Sequence, residues 1–284
     1  MNSMQTQGKL SRASVGEFSA SDWKSEGHAL LLSSKLLRLQ WLISRRKLVR
    51  RLREDNFGTV GFVSKNIDLM NMDRSLVKSS TLLIGYAVEM YLKAGLASAL
   101  TGGPEDLFIY LSKHRFKHNY CEIANFISYP LTQQDKNDLE TLKNAVEFDA
   151  RYPISVASDE DYISKFNERR QRLADNARYK RYRRLVEKLD RYSIKLRGTG
   201  IDPLSHGDFE FDGDGYLFYR MGGGMPSRIT YKLGSGDARE FSCLNELKDA
   251  SVGGNAILRL IWEKAEIYEQ RGSGKKIKFD KVSE

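Results

Sequence analysis

The stretch SSTLLIGYAVEMYLKAGLASAL, residues 79–100, decides the fold class of the chain. Its apolar residues recur at spacings of 4, 3, 4 and 3 positions: Leu83, Ala87, Met90, Ala94 and Ala97. A continuous apolar face at this spacing predicts a buried α-helix. The glycines and the proline of GGP, residues 102–104, end the pattern.

Helical signals also flank this segment. Ser19 with Asp22 forms a plausible capping box for a helix that runs to about Arg53. Its apolar seam has spacings of 4, 3 and 4: Leu32, Leu36, Leu39 and Ile43. The first 20 residues are polar, and we expect residues 1–19 to form a disordered tail.

Two more capping signals predict helices in the middle of the chain. Thr132 with Asp135 opens a helix over 132–149, and Ser158 with Asp161 opens a long basic helix to about Lys195. The seam of the second helix is heptad-like: Tyr182, Leu185, Leu189, Tyr192 and Leu196. Together these helices predict a helical bundle over 20–196.

The character of the sequence changes after the linker RGTGIDPLSHGD, residues 197–208. The runs DFEF, YLFYRM and SRITYKL are separated by glycine turns and predict a small antiparallel β-meander. A last helix is predicted at about 250–270, followed by a flexible basic tail over 271–284. The fold class is therefore mainly α, with a small α+β region over 205–270.

The net charge of +9 is concentrated in two segments. Residues 35–53 hold 8 Lys/Arg and no acid, and residues 165–197 hold 13 Lys/Arg against 4 Asp/Glu. Such focusing favours a polyanionic partner such as nucleic acid. The alternative is a pair of exposed helices with solvated faces, and the sequence leaves both open.

The run RYKRYRR, residues 178–184, interleaves tyrosines with cations. Arginines can follow a nucleic-acid backbone while tyrosine rings stack on bases. Tyr182 falls on the apolar seam and belongs to the core, so Tyr179 is the better stacking candidate. Arg178, Arg181 and Arg184 are the candidate phosphate contacts.

A second basic patch lies in KHRFKHNYCEIA, residues 113–124. It contains Lys113, Arg115, Lys117 and two of the four histidines of the chain, His114 and His118. The patch is open to three interpretations: a catalytic site on phosphodiesters, a nucleic-acid contact, or a solvated helix start.

Three motifs in order resemble the HEPN family, a group of helical-bundle proteins of prokaryotic toxin–antitoxin and phage-defence systems. The motifs are a Glu-x-x-x-Lys helix at Glu89 and Lys93, a histidine at His118 that opens a helix containing Ile123, and Arg151-Tyr152-Pro153. The resemblance covers roughly 25–195 and implies a HEPN-like topology.

The resemblance also implies metal-independent ribonuclease chemistry, which many members perform with an arginine and a histidine separated by four to six intervening residues. That signature is absent: Lys113 has the spacing to His118 but is the wrong cation, and Arg115 is only three residues before it. If the chain is catalytic, we expect His118 to act as the acid–base group and Arg115 or Arg151 to hold the phosphate. Glu89, Lys93 and Tyr152 would shape the groove, and Lys113 and Lys117 would bind nucleic acid.

Two functional hypotheses follow. The first is a HEPN-like component of a bacterial antiviral defence or toxin–antitoxin system that binds RNA, with or without cleavage as a ribonuclease. The second is a non-catalytic module that forms a homodimer and docks an antitoxin, another defence-system protein or a nucleotide. Neither requires a cofactor or a metal.

Composition also predicts where the protein resides. Cys121 and Cys243 are far apart and match no metal spacing, which favours a reducing, cytoplasmic environment. The sequence contains no run of about 20 uncharged apolar residues, so we expect no membrane partner.

Overall fold

The computed structural model describes residues 8–54, 60–149, 158–211, 213–235, 240–253 and 256–282. Its helices are α1 (Ala20–Glu54), α2 (Val60–Ala99), α3 (Glu105–Ile109), α4 (Tyr120–Phe126), α5 (Gln133–Asn144), α6 (Asp159–Ala174), α7 (Asn176–Leu196), α8 (Leu244–Val252) and α9 (Ala256–Lys264). Its strands are β1 (Ser205–Phe211), β2 (Gly215–Gly222), β3 (Met225–Lys232), β4 (Glu266–Arg271) and β5 (Lys278–Lys281). The predicted fold class, mainly α with a small strand-bearing part, is confirmed.

The chain forms two compact units, each assembled from separate segments. Unit 1 comprises Met1–Trp23, Leu92–Pro130 and Asp190–Glu284, and unit 2 comprises Lys24–Tyr91 and Leu131–Leu189. Unit 1 thus combines the strands with segments of the region that the sequence assigns to the helical bundle. Each unit is described by itself below.

The predicted helix starts are confirmed by side-chain caps. In each cap a hydroxyl accepts a hydrogen bond from the backbone N–H three residues later: Ser19 from Asp22, Thr132 from Asp135 and Ser158 from Asp161. These caps satisfy N–H groups that the first turn of a helix leaves without partners.

The single helix predicted over 158–195 is wrong, because the chain breaks at Asp175 between α6 and α7. Asp175 has an extended backbone, with ψ at 107°. Its carboxylate accepts hydrogen bonds from the backbone N–H groups of Ala177 and Arg178, at 2.9 and 3.0 Å. The Arg178 N–H contributes most to lowering the pKa of Asp175. Asp175 therefore acts as the N-cap that starts α7.

Helix α1 packs within unit 2 through a face that the apolar spacing does not identify. Its buried residues there are Gly27, Leu31, Ser34, Arg38, Trp41, Ser44 and Leu48. The four residues of the predicted apolar seam are instead exposed: Leu32 by 51%, Leu36 by 60%, Leu39 by 56% and Ile43 by 40%. On the buried face, the Ser34 hydroxyl donates to the Ser80 carbonyl and Arg38 donates to the carbonyls of Leu173 and Ala174, which makes the burial of these two polar side chains tolerable.

A close approach between α2 and the end of α5 contributes to the core of unit 2. Helix α5 continues into a π-helical turn at Ala145–Asp149, which contains the fully buried Val146. A methyl group at Gly85 would lie 2.6 Å from Val146 Cγ2. Glycine at position 85 is therefore what permits this contact.

Unit 1 contains a five-stranded sheet in the order β1-β2-β3-β4-β5. The predicted meander is confirmed, since β1–β2 and β2–β3 are antiparallel. Strand β4 pairs with β3 in parallel, and β5 pairs with β4 in antiparallel fashion. Buried residues of β2, β3, α8 and α9 form one apolar cluster: Leu217, Ile229, Tyr231, Leu247, Leu258, Ile261 and Trp262.

The helix predicted over 250–270 is wrong in its last part. Helix α9 ends at Lys264, and Glu266–Arg271 forms β4, because the edge of β3 offers backbone partners to that segment. The termini also differ from the expected tails. Phe279 of β5 is buried, and at the other end Leu10 is buried next to a β-bridge between Lys9 and Pro104.

Two arginines of the sheet are buried in unit 1. Arg220 on β2 is 1% exposed and donates to the carbonyl oxygens of Ser98, Leu196 and Gly222, at 3.1, 3.1 and 3.2 Å. Burial lowers the pKa of Arg220 to about 10. Arg228 on β3 donates to the Phe126 carbonyl at 2.9 Å and lies between the rings of Phe126 and Tyr268. These arginines satisfy carbonyl groups at helix C-termini, where the helix dipole favours a cation.

Candidate nucleic-acid interface

The basic patch 113–118 lies in unit 1, where α3 continues into a π-helical turn at Tyr110–Arg115. Lys113 Nζ lies 2.6 Å from Glu17 Oε2. The Arg115 guanidinium donates to the Phe279 carbonyl of β5 and lies 3.8 Å from the Asp280 carboxylate. Both cations are therefore engaged with groups of their own unit.

His118 does not start a helix directly. Helix α4 begins at Tyr120 and has seven residues, and its N-cap residue Asn119 makes no side-chain cap. Lys117, just before the histidine, is exposed with φ at +48°, and His118 is half-buried. His118 therefore lies two residues before the first residue of α4.

Of the remaining residues from the family resemblance, Glu89 and Lys93 lie one turn apart on α2. Glu89 is buried on the part of α2 that belongs to unit 2. Lys93 belongs to unit 1, where its ammonium lies 5.1 Å from the centre of the Trp23 ring. Arg151 and Tyr152 lie outside the described residues.

The stacking role predicted for Tyr179 is contradicted by its burial. Tyr179 is 5% exposed, and its hydroxyl lies 2.8 Å from Ser34 Oγ. The Arg38 guanidinium lies over its ring at 4.8 Å from the centroid. No face of the ring is open to a base. Tyr182 is buried, as its place on the seam predicts.

The cations predicted on α7 differ in their surroundings. Arg181 Nε lies 3.4 Å from the buried carboxylate of Asp138, so much of its charge is compensated. Arg184 is exposed. Arg178 is half-buried next to its capping partner Asp175 and lines a surface groove.

This groove, which we call the arginine groove, has a volume of about 790 Å³ and lies entirely in unit 2. Its lining residues are Arg45, Asn167, Glu168, Arg170, Gln171, Arg172, Ala174, Asp175 and Arg178. They come from α1, α6 and the start of α7. The groove therefore joins the two basic segments of the sequence, with four arginines against two carboxylates.

A buried carboxylate positions two of the groove arginines. Asp73 on α2 has a side chain only 2% exposed and accepts from Arg170 Nη2 at 2.7 Å and from Arg45 Nη1 at 3.1 Å. The indole N–H of Trp41 donates to the same carboxylate at 3.0 Å. Burial alone would raise the pKa of Asp73, but the hydrogen bonds from Arg170 and Arg45 outweigh it and lower the pKa. Asp73 is thus ionised at neutral pH and holds two guanidinium groups from below.

Arg38 holds the end of α6, which lines the groove, against α1. It is buried on α1 and donates to the carbonyls of Leu173 and Ala174, at 2.8 and 3.1 Å. Its guanidinium also lies 4.3 Å from the centre of the Trp41 ring. The C-terminal end of α6, which presents Arg170 and Arg172, is therefore tied to α1.

An exposed aromatic residue lies on α6 two turns before Arg170. Tyr162 is 45% exposed, and its ring stacks on Phe166 at 5.9 Å between centroids. Arg74 of α2 lies 5.5 Å from the centre of the Phe166 ring. Tyr162 is consequently available for stacking in a way that Tyr179 is not.

Asp73, Tyr162 and three of the groove arginines are not among the site residues that the sequence predicts. Arg45, Arg170 and Arg172 lie in the two basic segments, so the charge count includes them without singling them out. The turn at Asp175 was the missing element, because a continuous helix over 158–195 would not form this end of the groove.

Searches for related proteins assign no function to this site. No family model, no curated protein and no solved structure matches the chain significantly. Across the parts of the chain that the structure describes, no group of three or more His, Cys, Asp or Glu side chains is placed to hold a metal ion. Within the same parts, no helix is long and apolar enough to cross a membrane.

Proposed function

We propose that the protein binds RNA through the arginine groove of unit 2. The observation that carries this proposal is that two of the four arginines lining the groove, Arg45 and Arg170, are anchored on the buried carboxylate of Asp73. A buried anchor reduces the entropy that these long side chains would lose on binding a phosphate. Guanidinium groups also suit phosphate geometry.

The other groups of the groove favour a single-stranded ligand. Asn167 and Gln171 line it with amide groups that can donate to and accept from base edges or a 2′-hydroxyl. Tyr162, which lies on α6 with Asn167 and Gln171, provides an exposed aromatic ring. Cations along the backbone and an aromatic ring for bases are what single-strand binding combines.

The test is binding of a labelled single-stranded RNA oligonucleotide across a salt series. Arg170→Ala combined with Arg178→Ala should weaken binding about tenfold or more, and the slope of log K against log salt should become shallower by roughly 1.4, from two lost phosphate contacts. The matched control is Arg259→Ala with Lys264→Ala, two exposed cations of α9 in unit 1. That control removes the same charge and should change affinity less than about threefold.

The result decides whether the groove is a specific site. Equal weakening by the two double variants would mean that only net charge attracts RNA, and the assignment to the groove would fail. Absence of binding by the wild-type protein at low salt would overturn the proposal altogether.

The place of this activity in a HEPN-like defence or toxin–antitoxin system rests on the sequence resemblance alone and stays a prediction. So does metal-independent cleavage by His118 with Arg115 or Arg151. RNA binding at the groove requires neither of them.

A further inference from the structure

The outer face of α1 carries an apolar stripe that is exposed to solvent. The stripe consists of Leu32, Leu36, Leu39 and Ile43, all 40% exposed or more. Leu36 and the buried Arg38 are two residues apart, which is roughly 200° around a helix, so the stripe lies opposite the packed face. Single exposed leucines are ordinary on a protein surface, but an aligned set of four indicates an interaction surface.

The spacing of the stripe identifies the kind of partner. Its intervals of 4, 3 and 4 residues are those of a coiled-coil seam, in which each side chain inserts between side chains of a facing helix. The same heptad positions continue outward to the small residues Ser25 and Ala29 on one side and to Arg46 and Arg50 on the other. The partner is therefore a helix of similar length with an apolar seam of its own.

The charges at the two ends of α1 decide whether a second α1 can pack in a parallel or an antiparallel orientation. The end of α1 after the stripe exposes Arg46, Lys47 and Arg50, whereas the end before it exposes Glu26. A parallel second α1 would place three cations beside the same three cations. An antiparallel second α1 would place Glu26 beside Lys47, so the helix is complementary to itself only in the antiparallel orientation.

We propose that two copies of the chain dimerise through this stripe, with their α1 helices antiparallel about a two-fold axis. Leu36 then faces Leu39 of the second copy, and Leu32 faces Ile43. The stripe spans about 16 Å from Leu32 to Ile43, which is about three helical turns, and we expect such a small apolar seam to give a dissociation constant on the order of micromolar. This dimer does not depend on the RNA proposal, because Leu32, Leu36, Leu39 and Ile43 do not line the arginine groove.

The first experiment is sedimentation velocity of the full chain from about 1 to about 100 µM, where a micromolar dimer dissociates on dilution. Leu36→Glu with Leu39→Glu should leave the protein monomeric over the whole range. The control is Leu260→Glu with Ile201→Glu, which places the same charges on exposed apolar residues of unit 1 and should leave the dimer intact. Circular dichroism of each variant checks that it folds.

Charge reversals then test the orientation. Glu26→Lys and Lys47→Glu should each weaken the dimer about threefold to tenfold, since each creates two like-charge contacts across the two-fold axis, and the combined reversal should restore it. In a parallel dimer neither single reversal would remove an attraction, so unchanged affinities would overturn the antiparallel arrangement.

Other occupants of the stripe would appear as distinct results. A wild-type protein that stays monomeric at the highest concentration overturns the proposal. The proposal is also overturned if the monomer binds anionic lipid vesicles and the Leu36/Leu39 double variant abolishes this binding. A dimer that survives the double variant shows that another surface forms it.

Discussion

The buried Arg220 of unit 1 and the partly exposed Arg45 and Arg170 of unit 2 are used in opposite ways. In unit 1, Arg220 points inward and donates to three carbonyl groups. In unit 2, Arg45 and Arg170 remain about 40% exposed while one nitrogen of each is held by the buried Asp73. The same residue type therefore connects helix ends in one unit and forms a surface in the other. A count of positive charge cannot separate these roles, because the buried partner determines which of them an arginine performs.

The largest effect is expected where an arginine is used internally. Arg220→Met removes the donor to the carbonyls of Ser98, Leu196 and Gly222, and a buried acceptor left unpaired costs about 1–3 kcal/mol. Relief of a buried charge offsets part of this loss. We expect the free energy of unfolding to fall by about 3 kcal/mol, measured by urea denaturation.

The control for Arg220 is Arg184→Met, the same change at an exposed arginine of α7. It should alter the free energy of unfolding by less than about 0.5 kcal/mol. Similar losses from the two variants would remove the distinction between internal and displayed arginines.

A smaller effect is expected from the anchor beneath the displayed arginines. Asp73→Asn removes the charge that Arg170 and Arg45 contact but keeps an oxygen that can accept from Trp41. Because both arginines are partly solvated, we expect the free energy of unfolding to fall by about 2 kcal/mol at pH 7. This loss is smaller than that for breaking a fully buried ion pair. RNA affinity should also fall, although the change raises the net charge by one.

The pH dependence of the stability lost in Asp73→Asn shows whether the lost charge or altered packing is the cause. The pKa of Asp73 is lower in the folded protein, so its contribution is present above its unfolded pKa of about 3.9 and is lost as the pH falls through the folded pKa. The difference in unfolding free energy between wild type and Asp73→Asn should therefore shrink below about pH 4. A difference that is constant down to pH 2 would indicate lost packing, and an unchanged or higher RNA affinity would show that Asp73 does not organise the groove.

Local signals in the sequence predicted much of the fold. The caps at Ser19, Thr132 and Ser158 are local hydrogen bonds, and the apolar runs of β2 and β3 are separated by a glycine turn, so both features could be recognised in the sequence. The break at Asp175 was not predicted, because no glycine or proline marks it anywhere between Ser158 and Lys195. Strand β4 was also missed, since a parallel partner 38 residues away stabilises it: Arg228 pairs with Glu266 in the register.

The arginine groove was not predicted from the sequence because it also depends on contacts between distant segments. Composition identified both basic segments, but the groove exists only because Asp73, from a third segment, brings Arg45 and Arg170 to one carboxylate. Conversely, Leu32, Leu36, Leu39 and Ile43 have the spacing of a buried face and are exposed. Periodicity establishes that residues share a face, whereas tertiary contacts decide whether this chain covers it.

The smallest effect is expected at Arg115, an exposed arginine of unit 1. Its guanidinium donates to the Phe279 carbonyl, and its nearest carboxylate, that of the exposed Asp280, is 3.8 Å away. Arg115→Ala should therefore lower the free energy of unfolding by less than about 1 kcal/mol. It should also change RNA affinity less than about twofold, because the side chain is engaged with its own unit and has no buried carboxylate to orient it toward a ligand. The decisive comparison is with Arg170→Ala combined with Arg178→Ala in the same RNA titration. If Arg115→Ala alone weakens binding as much as that double variant, the RNA site belongs to the 113–118 patch beside His118, and the displayed arginines of unit 2 lose their assigned role.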